Sequence, residues 1–276
     1  MLTPTQRQQY DRDGFLVLPA FRGVAALAEL RARAEALVQA FEPDAASGVF
    51  STRNPAVTAD AALIASADAV HCFFEEEAFD AAGRLVVPKD RAINKIGHAL
   101  HDRDPVFERF SHGADLAALA RDLGLAEPQV RQTILIFKQP AIGGDARWHQ
   151  DATFFVTEPV SVTTFWFALE DAALDNGCLW VEPGGHRGPL RERFVREGDA
   201  LRIEVLDRTP WPGEGAAVPL PCAAGTLVVF HGLLPHYSAP NRSARRRMAY
   251  TLHATDARAP YAPTNWLQRE GVRGFA

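Results

Sequence analysis

The sequence predicts a mainly β fold, of the sandwich, jelly-roll or related barrel kind, with flanking α-helices. Two observations carry that expectation. Beyond about residue 130 the chain breaks into short runs rich in β-branched and aromatic residues: QTILIFKQP, SVTTFWFALED, GCLWVEP, ALRIEV, GTLVVFHG and RMAYTLHA. Gly, Pro and Asn separate them, which is turn chemistry between antiparallel strands rather than the texture of a parallel α/β sheet. Secondly, 276 residues of which 47% are apolar can bury a sizeable core, and all-β units of this size are often single domains. One domain over 1–276 is therefore expected, with a helical N-terminal part to about 128 and a β core over about 130–256.

In chain order, the opening reads as a short polar helix over Thr5–Asp11, then a strand over Gly14–Leu18 that stops at Pro19. From Val24 to Phe41 the residues Leu27, Leu30, Ala34, Leu37, Val38 and Phe41 recur at spacings of three and four, the stripe of a helix packed on a sheet. Residues 43–69, rich in Ala, Ser, Asp and Pro, read as a loop or a marginal helical insert. An acidic stretch, Glu75–Glu77, and a turn at Ala82-Gly83 lead to AINKIGHALH. A further helix is expected over Asp115–Leu123, with Gly124 as its cap. There is no internal repeat and no low-complexity tract.

Charge excludes some classes of partner. The 29 basic and 34 acidic residues are mixed along the chain, giving a formal charge of -5. No single-signed field invites nucleic acid or an anionic membrane. Cys72, Cys178 and Cys222 are odd in number and lack redox or zinc spacing, which suits a reduced, cytoplasmic protein. No basic leader with an apolar core and no run of 18 apolar residues is found, so secretion and membrane spanning are not expected. A monomer is the default.

The chemistry concentrates in two places. RWHQDATFF contains His149-Gln150-Asp151; on a strand, positions i and i+2 point the same way, so an imidazole and a carboxylate could reach one ion. A face of two histidines and one carboxylate leaves open positions on iron(II), so a second histidine is needed. GTLVVFHGLLPHYSAPN offers His231 and His236, and periodicity does not choose between them. Arg247 follows in the last β-type run, after a turn over Asn241–Ala244. Its guanidinium fork could clamp a carboxylate bidentately, and His236 and Arg247 could then lie on antiparallel neighbours facing one cavity. Arg245, Arg246 and Arg247 form a basic triplet of which only one needs to turn inward.

Taken in order, the blocks YDRDGFLVLPAF, INKIGHALHDRDPVF, IFKQP, WHQDATF, FWFALEDA, NGCLWVEPGGH, HGLLPHYS, RRRMAYTLH and NWLQ resemble the phytanoyl-CoA dioxygenase family over nearly the whole chain. The resemblance implies a double-stranded β-helix (a cupin-like jelly roll) and iron(II) on His149, Asp151 and His236, with His231 a neighbour only. It implies 2-oxoglutarate as co-substrate, its distal carboxylate on Arg247 with help from Ser238. Lys95, Trp166 and Gln150 match positions near 2-oxoglutarate, and Ile134 an apolar wall. The implied reaction is hydroxylation of a small molecule by oxygen, with release of succinate and carbon dioxide and ascorbate as a supporting reductant. The chain departs from the family's Pro-Gly-Ser-His pattern at Pro183-Gly184-Gly185-His186, which removes no ligand but puts a hydroxyl role at Gly185 in doubt. Two other readings use the same residues: a non-oxidative cupin-like metalloenzyme, and a non-catalytic 2-oxoglutarate-binding module. Kinship does not transfer a substrate. Substrate contacts are expected from the 43–69 and 188–220 regions, while Arg191, Arg193, Arg196 and Arg202 read as solvated charges.

Overall fold

The computed structural model describes residues 2–43, 48–50, 60–213 and 215–275. The chain opens with α1 (Pro4–Asp13), β1 (Phe15–Leu18), α2 (Val24–Ala40), β2 (Val49–Phe50) and α3 (Asp60–Ala65), then β3 (Val70–Glu75) and β4 (Ile93–His98). Three helices follow, α4 (Leu100–Arg103), α5 (Pro105–Ser111) and α6 (Ala114–Asp122). The remainder is β5 (Pro128–Lys138), β6 (Ala146–His149), β7 (Thr163–Ala168), β8 (Leu179–Val181), β9 (Glu192–Glu197), β10 (Ala200–Val205), β11 (Val218–Leu220), β12 (Leu227–His231), β13 (His236–Ser238) and β14 (Arg247–Asp256).

Local chemistry sets the helix ends. Thr3 caps α1 in a reciprocal box with Gln6 and Pro4 occupies the first turn, while Gly14, at φ 82°, ends it where a side chain would be strained. In α2 the buried residues are Leu27, Leu30, Ala34 and Val38, the stripe expected from the sequence. Gly124, at φ 101°, follows α6 and closes it as anticipated.

The strands form an eight-stranded sheet in the order β1-β12-β7-β14-β5-β4-β3-β2 and a four-stranded sheet in the order β11-β8-β13-β6, with β9 and β10 paired apart. All pairs in the larger sheet are antiparallel except β2 with β3. Period-two alternation divides its faces. Leu135, Phe165, Phe167, Val229, Tyr250 and Leu252 point to one side and pack with Leu27, Leu30, Phe107 and Leu116 of the helices. Trp166, Val228, Phe230 and Ala249 point to the other and meet Leu179, Val181 and Leu234 on and beside the smaller sheet. Two facing sheets, helices on the outer face of one, make the jelly roll that the sequence predicts.

Three expectations need correction. The N-terminal part is not only helical: β1 forms one edge of the large sheet and β4, β3 and β2 extend the other. β1 is the strand expected over Gly14–Leu18, whereas β4 read poorly because it is buried along nearly its whole length, which erases polar alternation. Within 43–69, the described residues include β2 and α3, and residues 44–47 and 51–59 lie outside the described residues. Finally, His236 and Arg247 are not on neighbouring strands. β13 pairs with β6 and β8 in the small sheet, whereas β14 pairs with β5 and β7 in the large one. The turn between them changes sheets, so the two residues face each other across the sandwich. Among the described residues no helix is long and apolar enough to cross a membrane.

Candidate active site

Between the sheets lies a cavity of about 230 Å³. The pairing of His236 with His149 brings β13 and β6 together at its mouth and sets their rings 4.1 Å apart between centroids. Asp151 is not on the strand with His149; it starts a short 3-10 turn just after β6. That turn, rather than strand alternation, carries its carboxylate back to the imidazoles. Oδ1 of Asp151 lies 3.6 Å from Nε2 of His149 and 3.7 Å from Nε2 of His236. The donor atoms of the three residues all lie within 4.8 Å of one another, among the described residues the one such cluster of histidines, cysteines and carboxylates.

The imidazoles are oriented for this. Nδ1 of His149 donates to the Arg147 carbonyl at 2.7 Å and Nδ1 of His236 to that of Leu234 at 3.0 Å. A carbonyl only accepts, so each Nδ1 carries the proton and each Nε2 keeps a lone pair toward the cluster. Burial, then the neighbouring His236, pushes the His149 imidazole down to about 3, so it is neutral. Burial opposes charge on Asp151, but His236, His253 and His149 outweigh it and hold the carboxyl well below its usual range. Oδ2 of Asp151 accepts from Thr164 Oγ1 and lies 3.5 Å from Nε2 of His253, whose ring stacks on Phe155. Two imidazoles and one carboxylate are a donor set that fits iron(II).

At the other end of the cavity Arg247 is 1% exposed. Nε and Nη2 donate to the Gly177 carbonyl at 3.1 and 2.9 Å, and Nη2 also to Ser238 Oγ at 3.1 Å. Trp166 lies under the guanidinium, 5.6 Å from its carbon to the ring centre. Burial lowers its pKa to about 10, so it remains a cation at neutral pH. Nη1 is buried without a hydrogen-bond partner, and among the described residues no carboxylate pairs with Arg247. A buried cation with an open N–H fits an incoming carboxylate, since leaving both unmet is costly. Arg245 and Arg246 turn outward to Asp175 and to Glu170 and Glu35, so the triplet divides as expected.

Ile134, Lys95, Trp166 and Ser238 line the same cavity. Lys95 carries its ammonium 3.3 Å from the centre of the Phe50 ring, and burial lowers its pKa to about 7. Gln150 is a correction. Its amide donates to the carbonyls of Pro189 and Leu233 and accepts from the Arg191 N–H, so it ties loops together outside the cavity. The residue between two ligands on an extended segment points away from both. His231 accepts from the Leu233 N–H and packs beside His186, away from the cluster. Gly185 does not line the cavity; a Cβ there would come within 2.6 Å of Glu182 Oε2 and 2.8 Å of Pro235 Cδ. Arg191 is not solvated. It is 5% exposed, 3.6 Å from Glu182 and 4.6 Å from the Trp211 ring centre. Arg193, Arg196 and Arg202 form surface pairs with Glu204, Asp199 and Glu197.

Sequence reasoning missed Thr164, His253 and His98. His253 shares a face of β14 with Arg247, and Thr164 a face of β7 with Trp166, so period two from those anchors finds both. Phe50, Leu63 and Phe194 also reach the cavity from the regions expected to supply substrate contacts.

The family model described as Phytanoyl-CoA dioxygenase (PhyH) matches residues 10–249. A phytanoyl-CoA dioxygenase of Arabidopsis thaliana is 39% identical over 97% of this chain and 94% of its own length. Phytanoyl-CoA dioxygenase domain-containing protein 1 of Bos taurus is 41% identical, with 97% and 95% covered. Among solved structures, the alpha-ketoglutarate-dependent carbocyclase SnoK from nogalamycin biosynthesis superposes with a TM-score of 0.65 at 19% identity, covering 95% of this chain and 87% of its own. EctD from S. alaskensis with 2-oxoglutarate and 5-hydroxyectoine gives 0.64 at 21%, covering 99% and 82%. These two share the fold.

Proposed function

The chain belongs to the phytanoyl-CoA dioxygenase family and is a 2-oxoglutarate-dependent dioxygenase with iron as its metal; from that premise we propose that it hydroxylates a small molecule, using His149, Asp151 and His236 as iron ligands. Arg247, with Ser238, takes the distal carboxylate of 2-oxoglutarate, and Lys95, Trp166 and Ile134 flank it. The observation that carries this reading is the pairing within one cavity of a convergent His-Asp-His cluster with a buried arginine whose Nη1 is open. A metal-only hydrolase or isomerase has no use for that arginine. On the same reading the protein is a monomer and cytoplasmic, the latter supported by its three free cysteines.

Iron(II) with 2-oxoglutarate bound supplies the oxygen chemistry, R–H + O2 + 2-oxoglutarate giving R–OH + succinate + CO2. The residues of the chain do the rest. Carbonyls of Arg147 and Leu234 keep the Nδ1 protons on His149 and His236, which commits Nε2 to the metal. Thr164 and His253 hold one oxygen of Asp151 and leave Oδ1 for the ion. The Gly177 carbonyl and Ser238 hold the Arg247 fork in place, so that the co-substrate is bound in one orientation. Trp166, Ile134, Leu179 and Phe230 make the surrounding wall apolar, which excludes water from a reactive site.

The test is to load anaerobically purified protein with iron(II), 2-oxoglutarate and ascorbate, admit oxygen, and measure succinate in the wild type, Asp151→Ala and Arg247→Ala. Uncoupled turnover suffices. Succinate is expected from the wild type and not from Asp151→Ala, while Arg247→Ala should need more 2-oxoglutarate to produce it. Full turnover in Asp151→Ala would remove it from the ligand set, and an unchanged co-substrate affinity in Arg247→Ala would remove the clamp.

A further inference from the structure

Beyond the iron cluster, on the side away from Arg247, the cavity is bounded by a run of rings. Phe154 meets the His149 ring edge-on at 6.0 Å between centroids, Phe194 meets Phe154 at 5.7 Å, Trp266 meets Phe194 at 6.4 Å, and His98 meets Trp266 at 5.1 Å. All of them line the cavity. The arc runs from a proposed iron ligand at one end to His98 at the other. Flat aromatic walls favour a flat or compact apolar body over a polar, solvated one. At about 230 Å³ the cavity is smaller than the roughly 300–1,000 Å³ of sites for drug-sized ligands, and 2-oxoglutarate shares it.

His98 adds a polar requirement. It is 1% exposed, at the end of β4. Ser66 Oγ donates its single proton to the Leu63 carbonyl at 2.6 Å, and the same oxygen lies 2.8 Å from Nδ1 of His98. With the hydroxyl proton already used, Nδ1 must be the donor in that contact. The proton on the ring is thereby assigned to Nδ1, and Nε2 carries a lone pair. Among the described residues no hydrogen bond reaches Nε2. Lys95, His71 and His253 are the titratable groups around the ring, and burial, followed by Lys95, drives the imidazole well below its usual value, so it is neutral at pH 7. His98 lines the cavity, so this lone pair is the ring's remaining site for a hydrogen bond from a bound ligand.

Resting on the oxygenase reading above, we propose that the substrate is a compact, flat or apolar molecule bearing a hydroxyl or N–H group, and that this group donates to Nε2 of His98. His98 is then a specificity-determining residue: it anchors the donor at the far end of the aromatic arc and so decides which C–H bond is presented at the cluster. A plain acyl chain satisfies the walls but not the imidazole. Removing the acceptor abolishes the preference for donor-bearing ligands while leaving co-substrate binding intact.

The experiment compares phenol and toluene, which differ by a hydroxyl in place of a methyl, as ligands of the anaerobic iron(II)·2-oxoglutarate protein, by ligand-observed NMR titration. The ratio of phenol to toluene affinity is expected to fall about tenfold in His98→Phe, a loss of about 1.4 kcal/mol, with 2-oxoglutarate affinity unchanged. Ser66→Ala, which leaves Nδ1 without the partner that assigns its proton, should lower the ratio by a smaller factor and serves if His98→Phe does not fold. A ratio unchanged in the folded variants overturns the proposal, as does failure of phenol to bind the wild type at millimolar concentration. Failure of the oxygenase reading shows separately, as loss of 2-oxoglutarate binding in the same wild-type samples.

Discussion

Asp151 illustrates how one residue depends on neighbours that do not touch the ion. Its two oxygens have different surroundings: Oδ1 faces His149 and His236, and Oδ2 faces Thr164 and His253. Without the second pair the carboxylate could rotate about its terminal torsion and present either oxygen. Groups of this kind typically change metal affinity by 10–100-fold when removed. Thr164→Val keeps the shape and deletes the donor, so it should weaken iron(II) or manganese(II) binding by about tenfold while leaving 2-oxoglutarate affinity alone. Titration of the metal under anaerobic conditions checks this; equal affinities would mean that Asp151 is oriented by its own turn. His149 and Asp151 were legible because their separation in sequence is short. Arg191 was misread, because burial of a charged residue in a loop leaves no mark on composition.

Elements carry the site to its place through turns and register, and these were the least legible features. His231 and His236 stand in one segment, and periodicity could not separate them because the chain leaves β12 and enters β13 in a different sheet between the two. The family resemblance made the choice. The partnership of Thr164 with His253 across β7 and β14 follows from register alone, which a sequence without its pairing does not state. Gly177, at φ 85°, holds the turn before β8 whose carbonyl receives both Arg247 and Ser238. A Cβ there would come within 2.5 Å of the Ala239 carbonyl and 2.7 Å of Lys138 Cδ. Gly177→Ala should therefore displace that carbonyl and raise the KM for 2-oxoglutarate several-fold, with the metal affinity retained; a KM that does not move would show that Ser238 suffices. Glu75 makes a comparable tie, from the end of β3 to the Gly144 N–H. Burial raises its pKa from 4.5 to about 7. The folded state thus binds the proton more tightly than the unfolded chain between those values, so the contribution is complete below about 4.5 and is lost as pH rises through about 7. Relative to Glu75→Gln, the wild type should lose up to about 3 kcal/mol across that window. Urea midpoints of both proteins from pH 4.5 to 8 test the sign; a difference independent of pH would place the carboxylate in water.

At the scale of the molecule the iron site joins the two sheets. His149 and His236 come from paired strands of the small sheet, whereas Asp151 is tied through Thr164 and His253 to β7 and β14 of the large one. Asp151 Oδ1 stands 3.6 and 3.7 Å from the two imidazole nitrogens, beyond direct hydrogen-bond distance. A bound divalent ion supplies the attraction and links layers that otherwise meet mainly through the Trp166 and Leu179 cluster on one side. Because the unfolded chain holds no such arrangement, the binding energy becomes folding energy. At a free metal concentration about a hundred times the dissociation constant the gain is about 2.7 kcal/mol, which for a chain of this length corresponds to a rise in Tm of roughly 5 to 10 °C. Anaerobic thermal denaturation with iron(II) or manganese(II) should show this rise, chelation should reverse it, and Asp151→Ala should not show it. If the variant gains as much as the wild type, the ion that stabilises the fold binds elsewhere and the sheets are held together by their apolar contacts. If only the wild type responds, the same three side chains that hold the metal for turnover also couple the two halves of the sandwich, and loss of iron should loosen the cavity as well as silence it.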